Sequence, residues 1–533
     1  MKKIIASILI LSSVFLNGCV EKTVQGNKNI VAKDCIVYNI GKAPKDLLML
    51  TDSDIRQQDM LVNLFEGLVK TDEKGSIIPG LSDSWTLSKD ETCYTFNIRE
   101  NAKWSDGSNI TAEDFVIFFS QILNKDLNNK FAEQLNYIFG ASEYRQGKKS
   151  FNDVAIRATD KKKLEIRLNY PCNYFLNILA QPIYSLRKIN NDLIEWKKNY
   201  KQILYTGFFT IQNVSDNSEI ILVKNENYWD RDTVKSNKIT LSCIDSSEAA
   251  LAAYQSDKID IFTDPPISEI KNLVSMGKAN QSSTYTADVL VFNLKKQGIN
   301  KDINFRKSIA TSIDRSHISK EILNDRAKPA LTYIPTNISN GLNGQFINKN
   351  YFVGTIEKEK AVEFIKKSKF DKNNEPLKLI YIDTIENKKV CEGIAKNLHD
   401  NLKLKVQCIG YSTEEFDEEL SKGEYDLAEV ECEGSYDYPL PFLERWTINS
   451  KDNVYGYKNI ELDDILEKSK MEKDKAKKIE LLKAGENMLF EDMPVIPLCF
   501  NNVVICKKSN IENVGVTKIG NIKLDKVYVN FQP

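Results

Sequence analysis

The chain has 533 residues, 42% of them hydrophobic and 28% charged, with a formal net charge of −1. That length exceeds one compact core, so two or more domains are expected. The near-neutral balance argues against nucleic acid as a partner, because that calls for a basic face.

At the start, Met1-Lys2-Lys3 precede an apolar run from Ile4 to Leu16 and then Asn17-Gly18-Cys19. The run is short for a hydrocarbon core, which needs ~20 residues, but it suffices for a secretory signal. The cysteine after Gly18 resembles a bacterial lipobox, in which the thiol is acylated and becomes the new amino terminus. Asn17 departs from the small residue usual there. Residues 1–18 are expected to leave as a signal peptide, and losing Lys2 and Lys3 takes the formal charge from −1 to −3. Acyl chains on Cys19 would then hold the protein at the outer face of the cell membrane. The other reading is an ordinary export signal with an incidental Cys19, which leaves a periplasmic protein. Residues 19–33 are polar and aperiodic and read as a flexible tether. No later segment approaches ~18 uncharged apolar residues, so none is expected to span a membrane.

Residues 36–40 read as a first strand. Residues 59–69 read as a helix with an apolar stripe at Met60, Leu61, Leu64, Phe65 and Leu68. From about Thr71 alternating stretches suggest strands, and Thr111 with Asp114 is a capping-type helix start. Short strands are expected at 154–157 and 164–168. From about Tyr205 strands and helices alternate, with strands at 220–223, 238–241 and 259–262 and a helix at 246–255, which suits an α/β domain. A helical stretch at 305–324 leads into a second α/β region. Its expected strands are 377–381, 403–408 and 426–430, its helices 390–402 and 413–422. A helix at 475–490 and strand-like segments from Val495 close the chain.

Beyond Cys19 nine cysteines remain, an odd number with no CxxC pair. Neither a full disulfide framework nor a zinc site is expected, and the thiols should be buried as small apolar groups. The two histidines, His317 and His399, lie in helix-like stretches and read as helix-surface residues. No nucleophile–base arrangement can be assembled from so few histidines, so no catalysis, metal or cofactor is expected.

Several blocks recur in a fixed order: 63–68 (Asn-Leu-Phe-Glu-Gly-Leu), 79–85 (Pro-Gly-Leu-Ser-Asp-Ser-Trp), 96–99, 102–107, 111–115, 206–209, 225–230 and 305–315. In them the chain resembles the oligopeptide- and dipeptide-binding lipoproteins of ABC importers. The likeness covers essentially the whole mature chain. The blocks also have plain physical readings: Trp85, Trp104 and Trp229 as core anchors, Asp106-Gly107 as a turn.

The resemblance implies an α/β fold of the type II periplasmic-binding-protein kind, with two lobes, an additional domain and a ligand cleft between the lobes. The first lobe would comprise residues 34–70, 206–286 and 499–533, the added domain 71–205, and the second lobe 287–498. Strands near 285–293 and 494–500 would form the hinge. It further implies a monomer that captures an extracellular peptide and passes it to permease subunits.

In such proteins the peptide lies extended and pairs with strand edges, its side chains in wet pockets. The candidate contacts are Ser53, Asp54 and Ile55 in the first lobe, Tyr285, Asp288 and Val289 at the hinge, and Glu429, Glu431, Cys432, Glu433, Ser435, Tyr436 and Asp437 in the second lobe. The family's tryptophan, and the aspartate that receives the peptide amino terminus, fall on Cys432 and Ser435, and neither matches. Asp437, Glu433 or Glu431 could supply that carboxylate. A disulfide known in some members would fall on Thr286 and Glu433, so it is absent. No arginine stands near the segment in sequence. Its four carboxylates suggest a negative cleft that favours a cationic ligand, or simply acids facing solvent from one side of a strand. A non-peptide solute (nickel chelate, haem, sugar or opine), a peptide pheromone and a surface peptidase remain as other readings.

Overall fold

The computed structural model describes residues 22–23, 31–32, 35–51, 54–215, 219–342, 344–371 and 375–530. Cys19, the signal segment, most of the tether and Ser53 lie outside the described residues. Lys22–Thr23 and Val31–Ala32 pair as a two-residue antiparallel ladder. Among the described residues no helix is long and apolar enough to cross a membrane.

Ten strands of an eleven-stranded sheet follow one another in space. In chain order they are β1 (Ile36–Asn39), β2 (Phe209–Val214), β3 (Ile220–Lys224), β4 (Lys238–Ser242), β5 (Ile261–Thr263), β6 (Ala279–Phe292), β7 (Leu377–Ile382), β8 (Val406–Tyr411), β9 (Leu427–Glu433) and β10 (Val495–Lys507). Their spatial order is β2-β3-β4-β1-β5-β10-β6-β9-β7-β8, and Ala327–Pro329 pairs beside β10. Two parallel-containing ends, β4-β1-β5 and β9-β7-β8, are joined through β6 and β10. These two strands, 14 and 13 residues long, run antiparallel, and their register slips between Ser283 and Ala287 and again at Asp288/Val289. Such irregularities bend and twist a ladder locally. A separate four-stranded antiparallel sheet, Ser82–Leu87, Cys93–Ile98, Lys163–Arg167 and Ile156–Asp160, lies off the main one.

The first helix, α1 (Ile55–Leu64), begins earlier than its apolar stripe suggests. Asp54 caps it, accepting from the Arg56 N–H at 2.7 Å while Gln57 reaches back to the Asp54 N–H, a capping box. It stops at Leu64 because Phe65 is extended and Val69–Thr71 enter a strand. Asp59, inside α1, is 2% exposed. It accepts from the Tyr38 hydroxyl (2.5 Å), the Ile522 N–H (2.8 Å) and the Asn521 amide (3.2 Å), and pairs with Arg56 at 3.1 Å. The first strand, first helix and last segment of the chain are thus tied at one carboxylate.

The sequence blocks meet each other in the scaffold. Glu66 accepts from Lys70 (2.6 Å), the Tyr228 hydroxyl (2.8 Å) and the Trp229 indole N–H. Arg99 lies 3.5 Å over the Trp229 ring and donates to the Gly80 carbonyl at 2.7 Å. Trp104 is buried, whereas Trp85 and Trp229 are only half-buried against the core. Gly207 lies so close to α1 that a Cβ there would sit 2.6 Å from both the Leu64 carbonyl carbon and the Phe65 nitrogen. Backbone atoms cannot rotate away as a side chain can. Gly207→Ala is therefore expected to lower the free energy of unfolding by about 1–3 kcal/mol, read as a lower midpoint in urea denaturation.

His317 and His399 are both exposed on helices. All nine described cysteines are free, and six of them are fully buried.

Candidate functional site

Strand β9 is where the main sheet offers an opening. On one side β6 follows it from Phe292↔Leu427 to Thr286↔Glu433. On the other side β7 pairs with it only at Leu379↔Leu427 and Ile380↔Ala428. From Glu429 to Glu433 one edge is therefore unpaired among the described residues. Such an edge presents a row of N–H and C=O groups to which an added strand can bond. Thr286 and Glu433, the positions matched to the family disulfide, stand directly opposite each other in this ladder.

At its Glu433 end the edge runs into a cavity of about 1080 Å³. Sites for small molecules usually measure about 300–1,000 Å³, so this space suits a larger, hydrated guest. Three parts of the chain wall it: Asp54, Gln57 and Leu61 around α1; the stretch from Lys130 to Tyr137 with Tyr170; and Glu433, Ser435, Glu444 and Arg445. The charge is balanced. Lys42, Lys130, Arg445, Lys451 and Lys470 stand against Asp54, Glu133, Glu433, Glu444 and Asp452. A cleft of one sign is thus not what the structure has here. Arg445 also corrects the expectation that no arginine lies near the second-lobe segment. One of its terminal nitrogens, Nη1, is buried without a hydrogen-bond partner among the described residues.

The candidate residues divide into groups. Asp54, Glu433 and Ser435 line the cavity, and Ser435 Oγ accepts from the Gln134 amide at 3.1 Å. The Glu433 side chain takes no hydrogen bond from any described residue. Enclosure pushes its carboxyl up to about 7, opposed by the nearby Arg445 and aided by Asp54. Ile55 is not a strand edge: it opens α1, and its carbonyl accepts from Asn521 at 3.0 Å. Val289 is 5% exposed and committed to ladders on both sides. Cys432 is 6% exposed and alternates to the face opposite Glu431 and Glu433.

Tyr285, Tyr436 and Asp437 belong to a second, smaller pocket of about 80 Å³ walled by Phe65 and Phe208. There Tyr436 stacks on Tyr174 at 5.8 Å, Tyr438 stacks on the same ring at 4.1 Å, and Asp437 accepts from the Ser339 N–H at 2.7 Å. With Asp437 so engaged, Glu433 is the carboxylate of the segment that faces the large cavity.

The remaining candidates, Asp288, Glu429 and Glu431, gather on the same face of the ladder as Glu433. Asp288 stands directly opposite Glu431, and Glu429 lies two residues further along β9. Glu429 is buried and Glu431 is open to solvent, so the row is not simply a solvated strand face.

The cavity residues that sequence reasoning missed come from segments without periodicity. Gln134 sits in a 3-10 turn (Lys130–Leu135), and Arg445 follows a five-residue helix (Leu440–Glu444). No signal in the sequence linked either to α1.

The family model for bacterial extracellular solute-binding proteins, family 5 (middle), matches residues 76–454. The oligopeptide-binding protein OppA of Bacillus subtilis is 26% identical over 544 residues, covering 98% of this chain and 98% of that protein. Among solved structures, Haemophilus influenzae OppA in complex with RPPGFSPFR superposes with a TM-score of 0.79 at 23% identity, over 93% of this chain and 99% of that one. The pheromone receptor PrgZ superposes with a TM-score of 0.79 at 26% identity, over 94% and 100%.

Proposed function

Because the chain belongs to the bacterial extracellular solute-binding proteins of family 5, we propose that it captures extracellular oligopeptides and delivers them to the permease of an ABC importer. The observation that carries this reading is the open β9 edge running into a large, charge-balanced cavity. A peptide is the ligand class that brings its own edge. Its N–H and C=O groups bond β9, and its side chains enter a space where water bridges what the walls do not reach. The relative OppA is named for oligopeptide binding, which supports the same ligand class.

In this reading residues 34–70, 206–286 and 499–533 form one lobe, 287–498 the other, and 71–205 the added domain. Closure turns on β6 and β10, the two long strands whose register slips beside Asp288. Glu433 receives the peptide amino terminus, and Arg445 meets a ligand oxygen with its unmet donor. The protein acts by binding and not by catalysis. Lipid on Cys19 keeps the monomeric receptor within reach of its permease.

Native mass spectrometry of protein purified from its own cells tests the ligand class. A retained ladder of masses separated by amino-acid residues is expected. A single retained mass that does not fragment as a peptide would overturn the reading.

A further inference from the structure

The row Asp288, Glu429 and Glu431 crowds three acids on one face of the β6–β9 ladder. Like charges directly opposite in a ladder are destabilising, yet Asp288 faces Glu431 across β6 and β9. Asp288 is held from β10 by the Asn501 amide (2.7 Å) and the Cys499 thiol (3.3 Å), and the same amide reaches Glu431 at 3.4 Å. Neither partner brings a charge. Glu429 is 4% exposed, and no described residue donates a hydrogen bond to its side chain. Buried carboxylates without partners are costly unless something else supplies a counter-charge.

The cation that acts on Asp288 and Glu431 is Arg326, just before the strand Ala327–Pro329. It makes no ion pair within 4 Å among the described residues, and its Nε is buried without a hydrogen-bond partner. It also serves Asp264 after β5 and Glu386 on the helix Ile385–Leu402, besides Asp288 and Glu431. Burial, and then the Glu429 carboxylate, push the Cys391 thiol of that helix well up. One guanidinium among so many acids leaves the row a positive charge short. Among the described residues no group of three or more acids, histidines or cysteines is placed to hold a metal ion.

We propose that Asp288, Glu429 and Glu431 form a subsite for a cationic side chain of the bound peptide, a lysine or arginine. This deepens the peptide-receptor reading and rests on it. An extended ligand advances ~3.3 Å per residue, and Glu431 and Glu429 lie two and four residues back along β9 from Glu433. With the amino terminus at Glu433, the basic residue falls at about the third to fifth position of the peptide.

The proton balance gives an independent signature. Loss of bulk water around the carboxyl within the cleft, then Asp288 and Glu433, push Glu431 up to about 8, against the pull of Arg326 and Asn501. Burial raises Asp288 as well, and burial with Asp288 and Glu431 raises Glu429 further. Near pH 7 the empty row therefore holds protons. An arriving ammonium or guanidinium favours the ionised forms, so binding releases protons, and affinity for the basic peptide rises with pH up to about 8.

The test is isothermal titration of the full-length protein with tetra- and pentapeptides of alanine carrying Lys, Gln or Glu at one position. A preference of about ten-fold for Lys over Gln at one of positions three to five is expected. Titration in buffers of different ionisation enthalpy should show more protons released with the Lys peptide than with the Gln peptide, beyond the release that Glu433 gives with any free-amino peptide. Glu431→Gln should erase the Lys-over-Gln preference and the extra proton release of the Lys peptide. Equal binding of Lys, Gln and Glu peptides overturns the subsite and leaves the receptor reading standing. Failure of every peptide to bind overturns the receptor reading, and the subsite with it.

Discussion

Replacing Asp59 with alanine is expected to lower the free energy of unfolding by about 3–5 kcal/mol, the range for breaking a buried ion pair by removing one partner. The carboxylate is 2% exposed and serves Arg56, the Tyr38 hydroxyl, the Asn521 amide and the Ile522 N–H. Alanine would leave a buried guanidinium and three other donors unmet. Most of the cost comes from that stranded cation. The double variant Asp59→Ala/Arg56→Met should therefore be less damaged than Asp59→Ala alone. Denaturant unfolding followed by circular dichroism measures both. A single variant within ~0.5 kcal/mol of the parent, the usual range for surface changes, would mean that the knot between the chain's two ends is not built as described.

Glu433→Gln is expected to weaken binding of peptides with a free amino terminus by about a hundred-fold, the ~2–3 kcal/mol scale of a lost charge pair. N-acetylated peptides should bind parent and variant alike, since they carry no ammonium. The pH dependence follows from the position of the carboxyl at about 7. Above that pH it is ionised and attracts the ammonium. As pH falls through about 7 it takes up a proton, and affinity for the free-amino peptide falls with it. The glutamine variant should not show this fall. Titration calorimetry at pH 6 and pH 8 with one peptide and its acetylated form decides the matter. Equal losses for the two peptides would remove Glu433 from the role of amino-terminal partner.

The parts of the fold that could be read from sequence are those with local physical marks. The helix Thr413–Lys422 was legible to the residue, because Ser412 and Glu415 make a capping box and Gly423 ends it in a left-handed turn. The blocks around Glu66, Arg99, Gly207 and Trp229 were legible as a set, and the structure shows why: they hold one another. The placement of Thr286 opposite Glu433 came from the resemblance, whose disulfide falls on those two positions, and they do face each other across the β6–β9 ladder. What was not legible needed knowledge of distant neighbours. Asp54–Ile55 looked like an exposed edge, since nothing nearby revealed that Gln57 closes a cap on it. Arg445 and Arg326 come near β9 only through tertiary folding. The stacking of Tyr436 on Tyr174, far away in the chain, left no mark in the sequence.

The unpaired side of β9 also bears on how the empty receptor behaves towards its own copies. A bare strand edge invites another chain to join it, and natural proteins guard such edges with charge. Above about pH 8, where Glu431 and Glu433 are ionised, two empty molecules that approached edge to edge would have these acids driven against the same acids of the other. A peptide bearing an ammonium and a basic side chain meets no such repulsion. Once ionised, the same acids would keep unloaded molecules from adhering to one another.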